Sequence, residues 1–265
     1  MPFPQDGCPL TAATSPRVEV VPHTDSTNAD LVRLASRESE AWPHLSLVLT
    51  TDQRRGRGRL DRTWTAPPGT ALAVSVLVRV GDLPSAARGW IPLIAGAAMT
   101  RAIAAQLRGS VHTAQLKWPN DVLLDGGKVC GILAEVVPGH PDAVVIGSGV
   151  NTRMPRADLP VPTATSFAAV GIACDEDRLL ADYLAALDEQ LRALSAADGD
   201  AAASGVLAEI EALCATLGGD VRVSLPDGST LAGRAQRIDP DGRLVVVVPA
   251  GDEVAVSAGD VVHVR

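Results

Sequence analysis

Apolar positions change period several times along the chain, and each change marks an element. After Asp25-Ser26-Thr27-Asn28, apolar residues Leu31, Leu34 and Ala35 recur at helical spacing. Thr27 and Asp30 have the offset of a capping box, so a helix is predicted to start there. Apolar runs predict strands at 45–51 and 71–80, and a longer stretch predicts a helix over 93–107. Residues 115–118 and 122–125 read as short strands. Gly126-Gly127 is then the expected hairpin turn into a strand at 128–137. A buried strand is expected at 143–150, with helices over about 176–193 and 201–217.

Strands and helices interleave without a regular βαβ rhythm, and a hairpin sits among them. The expected class is therefore α+β, with a mixed β-sheet flanked by helices. The pattern shortens after Gly218-Gly219. Five β runs follow, at 221–225, 229–237, 244–249, 253–257 and 261–264, separated by turn residues such as Asp227-Gly228 and Pro240-Asp241-Gly242. They predict a small SH3-like β-barrel. Four prolines in the first sixteen residues suggest a loose arm. The expected division is an arm at 1–17, a main domain at 18–218 and the small domain at 219–265.

Charge narrows the choice of partners. The formal net charge is −8, yet residues 53–62 (QRRGRGRLDR) hold five arginines against one aspartate, so the remainder sums to −12. An acidic envelope disfavours a nucleic-acid coat or a polybasic membrane surface. The four cysteines (Cys8, Cys130, Cys174, Cys214) form no CxxC pair, which suggests packed, reduced thiols. The amino terminus lacks a basic and apolar leader pattern, and no apolar run reaches the roughly 18–20 residues of a membrane span. A cytoplasmic protein is expected. The five histidines show no paired metal-ligand spacing, and neither GxSxG nor a P-loop is present.

Four segments could carry chemistry. In Gln53–Trp64, Gly56 and Gly58 let backbone N–H groups approach an anion, while Arg57, Arg59 and Arg62 offer guanidinium forks. Taken alone this is a solvated basic loop or an RNA contact, but it lies between two buried strands. Lys117-Trp118-Pro119-Asn120-Asp121 packs a cation, an amide and a carboxylate into one turn, suited to a phosphate and a hydrated Mg²⁺, or simply to an Asx turn. Lys128 follows a tight turn at a strand start, where a lysine ordinarily snorkels. Gly147-Ser148-Gly149-Val150-Asn151 is a glycine-rich strand end.

Together these segments resemble the biotin protein ligase family. The matching pieces run in the family's order: Ser26-Thr27-Asn28, Gln53 with Gly56-Arg57-Gly58-Arg59, Arg62 and Trp64, Lys117–Asp121, Lys128 with Gly131-Ile132-Leu133, and Gly147…Gly149-Val150-Asn151. The resemblance covers nearly the whole chain. It implies a class II synthetase-like catalytic domain and a two-step reaction. Biotin and ATP would form biotinyl-5′-adenylate, and a lysine of a biotin carboxyl carrier domain, from an acyl-CoA or pyruvate carboxylase, would then accept the biotinyl group.

By the same resemblance, biotin would contact Ser26, Thr27, Asn28, Gln53, Arg57, Gly58, Arg59 and Lys128. ATP or the adenylate would contact Gly56, Arg57, Arg59, Arg62, Trp64, Lys117, Asn120 and Asn151. Asp121 would serve Mg²⁺, and Arg59 and Lys128 would be catalytic. The arginine cluster then has a physical reason. Two unit negatives about 4 Å apart repel by roughly 4 kcal/mol at an effective dielectric near 20, and fixed cations offset that.

Two positions depart from the family pattern: Arg54-Arg55 stand where a small residue is usual, and Asp61 where glycine is frequent. Members with a repressor domain carry about sixty further N-terminal residues, so this chain reads as the monofunctional type, without a DNA-binding domain. The family includes monomers and homodimers. Lipoate or octanoate ligases share the fold and are the alternative within the enzyme class. An RNA-binding module is the alternative outside it, disfavoured by only seven aromatic residues.

Overall fold

The computed structural model describes residues 7–59 and 62–264. Asp61, the start of the expected arm and Arg265 lie outside the described residues. Helix α1 (Pro9–Thr14) occupies part of the stretch expected to be a loose arm. It is held because Thr11 N and Oγ1 both donate to Asp177 Oδ1, at 2.8 and 2.7 Å, so order begins before Val18.

Strand β1 (Val18–Val20), helix α2 (Thr27–Arg37) and strand β2 (Leu47–Thr50) follow. The cap of α2 is Ser26, whose side chain accepts from Ala29 N. This replaces the expected Thr27/Asp30 box: Asp30 accepts instead from Thr24 Oγ1, and the Thr27 hydroxyl is left to the pocket. The arginine segment forms a hairpin of β3 (Gly56–Arg57) and β4 (Thr63–Trp64). Strand β5 (Leu72–Arg79) leads to helix α3 (Ile91–Gln106).

Strands β6 (Ala114–Lys117), β7 (Asp121–Leu124), β8 (Gly127–Val137) and β9 (His140–Val150) complete the large sheet. The β7–β8 turn is Asp125-Gly126, one residue earlier than expected. Both have positive φ, 51° and 78°, as a type I′ turn requires, and Gly127 already pairs with Leu124.

The sheet order is β1-β2-β5-β9-β8-β7-β6. Only β1–β2 is parallel, so the sheet is mixed as expected. Helix α4 (Glu176–Ala196) packs with α3 on one face, and α2 covers the other. Strand periodicity sorts the side chains between them. Leu47, Leu49, Val74 and Val76 join the α3/α4 core, while Val48, Leu77 and Val145 meet Leu31 and Ala35 of α2. Because both faces are covered, β5 is apolar on both sides from Leu72 to Val78 except at Ser75.

Helix α5 (Val206–Leu213) is shorter than expected. It starts after Gly205 at φ 81°, and Cys214 leaves it in extended conformation to bridge Leu116.

Strands β10 (Asp220–Ser224), β11 (Thr230–Ile238), β12 (Leu244–Val247), β13 (Glu253–Val256) and β14 (Asp260–His263) form an antiparallel sheet of order β13-β12-β11-β10-β14. The ladder is open from β13 to β14, so closure into the expected barrel is not part of the pairing. Its apolar face (Val223, Leu244, Val246) belongs to the same hydrophobic cluster as α3 and β5. Two tryptophans join the parts by donating to its β11–β12 turn: Trp90 Nε1 to Pro240 O at 2.9 Å and Trp118 Nε1 to Gly242 O at 3.1 Å.

Candidate active site

A pocket of about 160 Å³ opens on the large sheet between α2, the β3–β4 hairpin and the ends of β7, β8 and β9. Part of its lining is neutral and polar. Thr27 N donates to Gln53 Oε1 at 2.8 Å, and the Thr27 hydroxyl lies 3.1 Å from the same oxygen. Asn28 is fixed more fully. Its amide donates to Glu135 Oε2 at 2.8 Å and to Leu133 O at 3.2 Å, while its Oδ1 accepts from Ser75 Oγ at 2.6 Å. Ser75 Oγ is also 2.8 Å from Thr27 Oγ1, and its single proton can serve one of these neighbours at a time.

Glycines make this packing possible. A Cβ at Gly147 would stand 2.2 Å from Asn28 Oδ1, and one at Gly149 would stand 2.7 Å from the Trp64 ring. The two lie on the same face of β9, two residues apart, and form a floor that receives the Asn28 amide and the Trp64 indole. Ala73, Ile132 and Leu133 add apolar lining.

Four cations also line the pocket, and each already has a polar acceptor. Arg57 Nη2 bonds Glu135 Oε2 at 2.9 Å, Arg59 Nη1 bonds Asn120 Oδ1 at 2.9 Å, Lys128 Nζ bonds Asp121 Oδ1 at 2.6 Å, and Arg62 pairs with Asp260. Burial holds the Arg59 pKa below its ordinary value, with Arg62 adding to the shift and Asp121 opposing it. Lys117 is lowered for the same leading reason; Asp121 opposes, and Lys128 and Arg62 contribute. Arg59 and Lys117 thus feel neighbouring positive charge that an anion would relieve.

The structure brings Ser26, Thr27, Asn28, Gln53, Arg57, Gly58, Arg59, Arg62, Trp64, Asn120, Asp121 and Lys128 to one pocket. Three expected residues do not line it. Gly56 stands behind it, where a Cβ would meet Gln53 Nε2 at 2.3 Å and Trp64 O at 2.6 Å. Lys117 is at the end of β6, half-buried beside the cations. Asn151 is buried and donates to Thr165 O at 2.9 Å, with its backbone N bonded to Val129 O, so it braces the strand end and does not face the pocket. Sequence reasoning missed Ser75, Glu135 and Asp260, and it singled out the two floor glycines without giving them a role. The i, i+2 spacing of Gly147 and Gly149 was a usable signal; Asp260, some two hundred residues from Arg62, had none.

Both parts of the chain match known families. Residues 20–151 match the biotin/lipoate A/B protein ligase family, and residues 216–264 match the biotin protein ligase C-terminal domain. The biotin–[acetyl-CoA-carboxylase] ligase of Mycobacterium tuberculosis is 40% identical over 250 residues, covering 94% of this chain and 90% of that protein. The chain belongs to the biotin protein ligase family.

A second biotin protein ligase relative, the biotin–[acetyl-CoA-carboxylase] ligase of Paracoccus denitrificans, is 39% identical over 170 residues, 61% of this chain and 67% of that one. In fold, the biotin protein ligase of Aquifex aeolicus, solved in complex with biotin and ATP, superposes with a TM-score of 0.75 at 22% identity. The match covers 94% of this chain and 99% of that one.

The described residues build no site that would hold a metal by protein side chains alone. No group of three or more His, Cys, Asp or Glu side chains is placed to hold a metal among the described residues. Asp121 is one carboxylate, already bonded to Lys128. Among the described residues, no helix is long and apolar enough to cross a membrane.

Proposed function

We propose that this chain joins biotin to ATP, forming biotinyl-5′-adenylate and pyrophosphate, and then passes the biotinyl group to a lysine of a biotin carboxyl carrier domain with release of AMP. The observation that carries the reading is the lining of this one pocket. Neutral donors and acceptors (Ser26, Thr27, Asn28, Gln53), apolar and aromatic groups (Trp64, Ile132) and cations (Arg57, Arg59, Arg62, Lys128) all face it. Biotin combines the same three chemistries: a ureido ring, a hydrocarbon chain and a carboxylate. A lipoyl group has an apolar dithiolane in place of the ureido ring and offers those polar groups no further hydrogen bond. The names of the relatives at 40% and 39% identity support the same choice.

In this reading Asn28 and Gln53, locked by Ser75, Glu135 and Thr27, hold the ring. Lys128, Arg57 and Arg59 bring the biotin carboxylate and the α-phosphate together and stabilise the charge that builds as the carboxylate oxygen attacks phosphorus and pyrophosphate leaves. In the second step the acceptor amine attacks the biotinyl carbonyl, and AMP departs with the bonding pair. Arg62 and Lys117 serve the polyphosphate, and Asn120 orients Arg59. Magnesium would accompany ATP, and Asp121 is the pocket carboxylate that would meet it beside the phosphates. We place the reaction in the cytoplasm.

The test is biotin-dependent ATP–pyrophosphate exchange, followed by streptavidin blotting of a carrier domain. Exchange with biotin and a labelled carrier are expected. Exchange with lipoate and none with biotin would transfer the reading to the lipoyl branch.

A further inference from the structure

Arg62 enters β4 of the hairpin, Asp260 begins β14 of the C-terminal sheet, and their side chains form an ion pair across the pocket mouth. Among the described residues, Asp260 is the only part of 219–264 that lines the pocket. Its position is set locally. A Cβ on Gly259 would stand 2.7 Å from Val223 Cγ1 and 3.0 Å from Ser224 O, so β14 can lie this close to β10 only with glycine there. Asp260 then pairs in register with Ser224.

The pair answers an electrostatic problem. The Arg62 charge acts on both Arg59 and Lys117, pushing their pKa values down. Its side chain is 62% exposed, whereas that of Asp260 is 25% exposed. With like charges on its inner side and water outside, an unheld arginine would turn outward. Asp260 holds it at the mouth. A guanidinium has five N–H donors and a carboxylate engages about two of them, so the rest remain available to a second anion.

We propose that Asp260 is a positioning residue for nucleotide binding: the C-terminal sheet uses it to hold Arg62 where its free donors meet the polyphosphate of ATP. This rests on the reading of the pocket as a biotin and ATP site, and it gives the C-terminal sheet a defined part in that site.

The experiment measures equilibrium binding of ATP, with and without biotin, and of biotin alone. The proteins are wild type, Asp260→Asn, Asp260→Glu, Arg62→Ala and the Asp260→Asn/Arg62→Ala pair. Asp260→Asn should weaken ATP five- to tenfold and leave biotin binding within twofold. Asp260→Glu should recover most of the loss. In the Arg62→Ala background, Asp260→Asn should have no further effect. Unchanged or tighter ATP binding by Asp260→Asn, or an equal loss with and without Arg62, would overturn the proposal. Wild type that binds ATP yet shows no biotin-dependent exchange overturns the functional reading alone, and the binding cycle still decides the role of Asp260. Wild type that binds no ATP overturns both.

Discussion

Lys128 Nζ stands 2.6 Å from Asp121 Oδ1, and the lysine reaches that carboxylate by lying over the bare Cα of Gly131. A Cβ on Gly131 would come within 3.1 Å of both Lys128 Cε and Nζ. Strand pairing sets the relationship: Asp121 is opposite Gly131, three residues beyond the lysine. The ammonium therefore sits in the pocket with its charge already compensated. A carboxylate or phosphate entering beside it exchanges acceptors with Asp121 and meets no bare cation.

Removing that ammonium should affect chemistry far more than folding. Lys128→Ala should slow biotinyl-adenylate formation by about 10²–10³-fold, the scale of losing one preorganised electrostatic contact. The pair is partly exposed, so thermal stability should change by about 1 kcal/mol or less. Pyrophosphate exchange measured beside a thermal melt separates the two. Exchange at the wild-type rate would remove Lys128 from the reaction.

Adding one methyl group to the pocket floor should be costly for ligand binding. In Gly147→Ala the new Cβ falls 2.2 Å from Asn28 Oδ1, so the amide must leave the position fixed by Ser75 and Glu135. Overpacking of this kind costs about 1–3 kcal/mol. Biotin affinity should drop at least tenfold by calorimetry while circular dichroism stays native. Unchanged affinity would mean that Asn28 does not face the ligand.

Lys117 predicts an alkaline limit for nucleotide binding. Its pKa lies below the ordinary 10.5, first through burial and then through Lys128 and Arg62. Between that depressed value and 10.5 the folded chain has released a proton that the unfolded chain keeps. This group's contribution to stability is complete above 10.5 and is lost as pH falls through the depressed value. ATP favours the charged amine, so ATP binding should take up a proton in this window and weaken as pH rises through it. Calorimetry in buffers of different ionisation enthalpy reads the proton. Lys117→Met should abolish the uptake, and a wild-type protein without it would place Lys117 away from the nucleotide.

Trp118 should matter for the union of the two sheets. Trp118→Phe removes the indole donor to Gly242 O and leaves that carbonyl unpaired in a buried setting, at about 1–3 kcal/mol. The melting temperature should fall, and ATP binding should weaken more than biotin binding, because Asn120 and Asp121 follow directly in the chain. An unchanged melt would show that water replaces the indole.

The thiols should be inert. Burial pushes Cys130 and Cys174 up to about 12 and Cys8 to about 11. Iodoacetamide near neutral pH should label the native protein slowly and the denatured protein fully, as followed by mass spectrometry. Rapid native labelling would show that these thiols open to solvent.

The sequence was legible where chemistry and element coincide. The QRRGRGR segment, KWPND and the GK turn each carry their charged groups close together in the chain, and the large sheet's strands carry clear period-two or continuous patterns. What stayed hidden depended on contacts between distant positions. Ser75 looks like one polar residue inside an apolar strand until Asn28 and Thr27 are seen against it. Asn151 sits at a glycine-rich strand end suggestive of a nucleotide loop, yet its amide is used by Thr165. The α1 docking was obscured by prolines, because its anchor, Asp177, lies in α4. Family resemblance supplied an order of motifs, but only the fold shows which side of each strand a motif faces.

The indole bond from Trp118 to the β11–β12 turn also carries a consequence for biosynthesis. A chain emerging from the ribosome presents KWPND long before residues 239–243 exist, so the turn carrying Asn120 and Asp121 has no clamp during most of translation. The part of the pocket beside Asn120 and Asp121 can take its final shape only when the β10–β14 segment has been synthesised and has docked. An unfinished chain would therefore hold the cations without the scaffold that aims them.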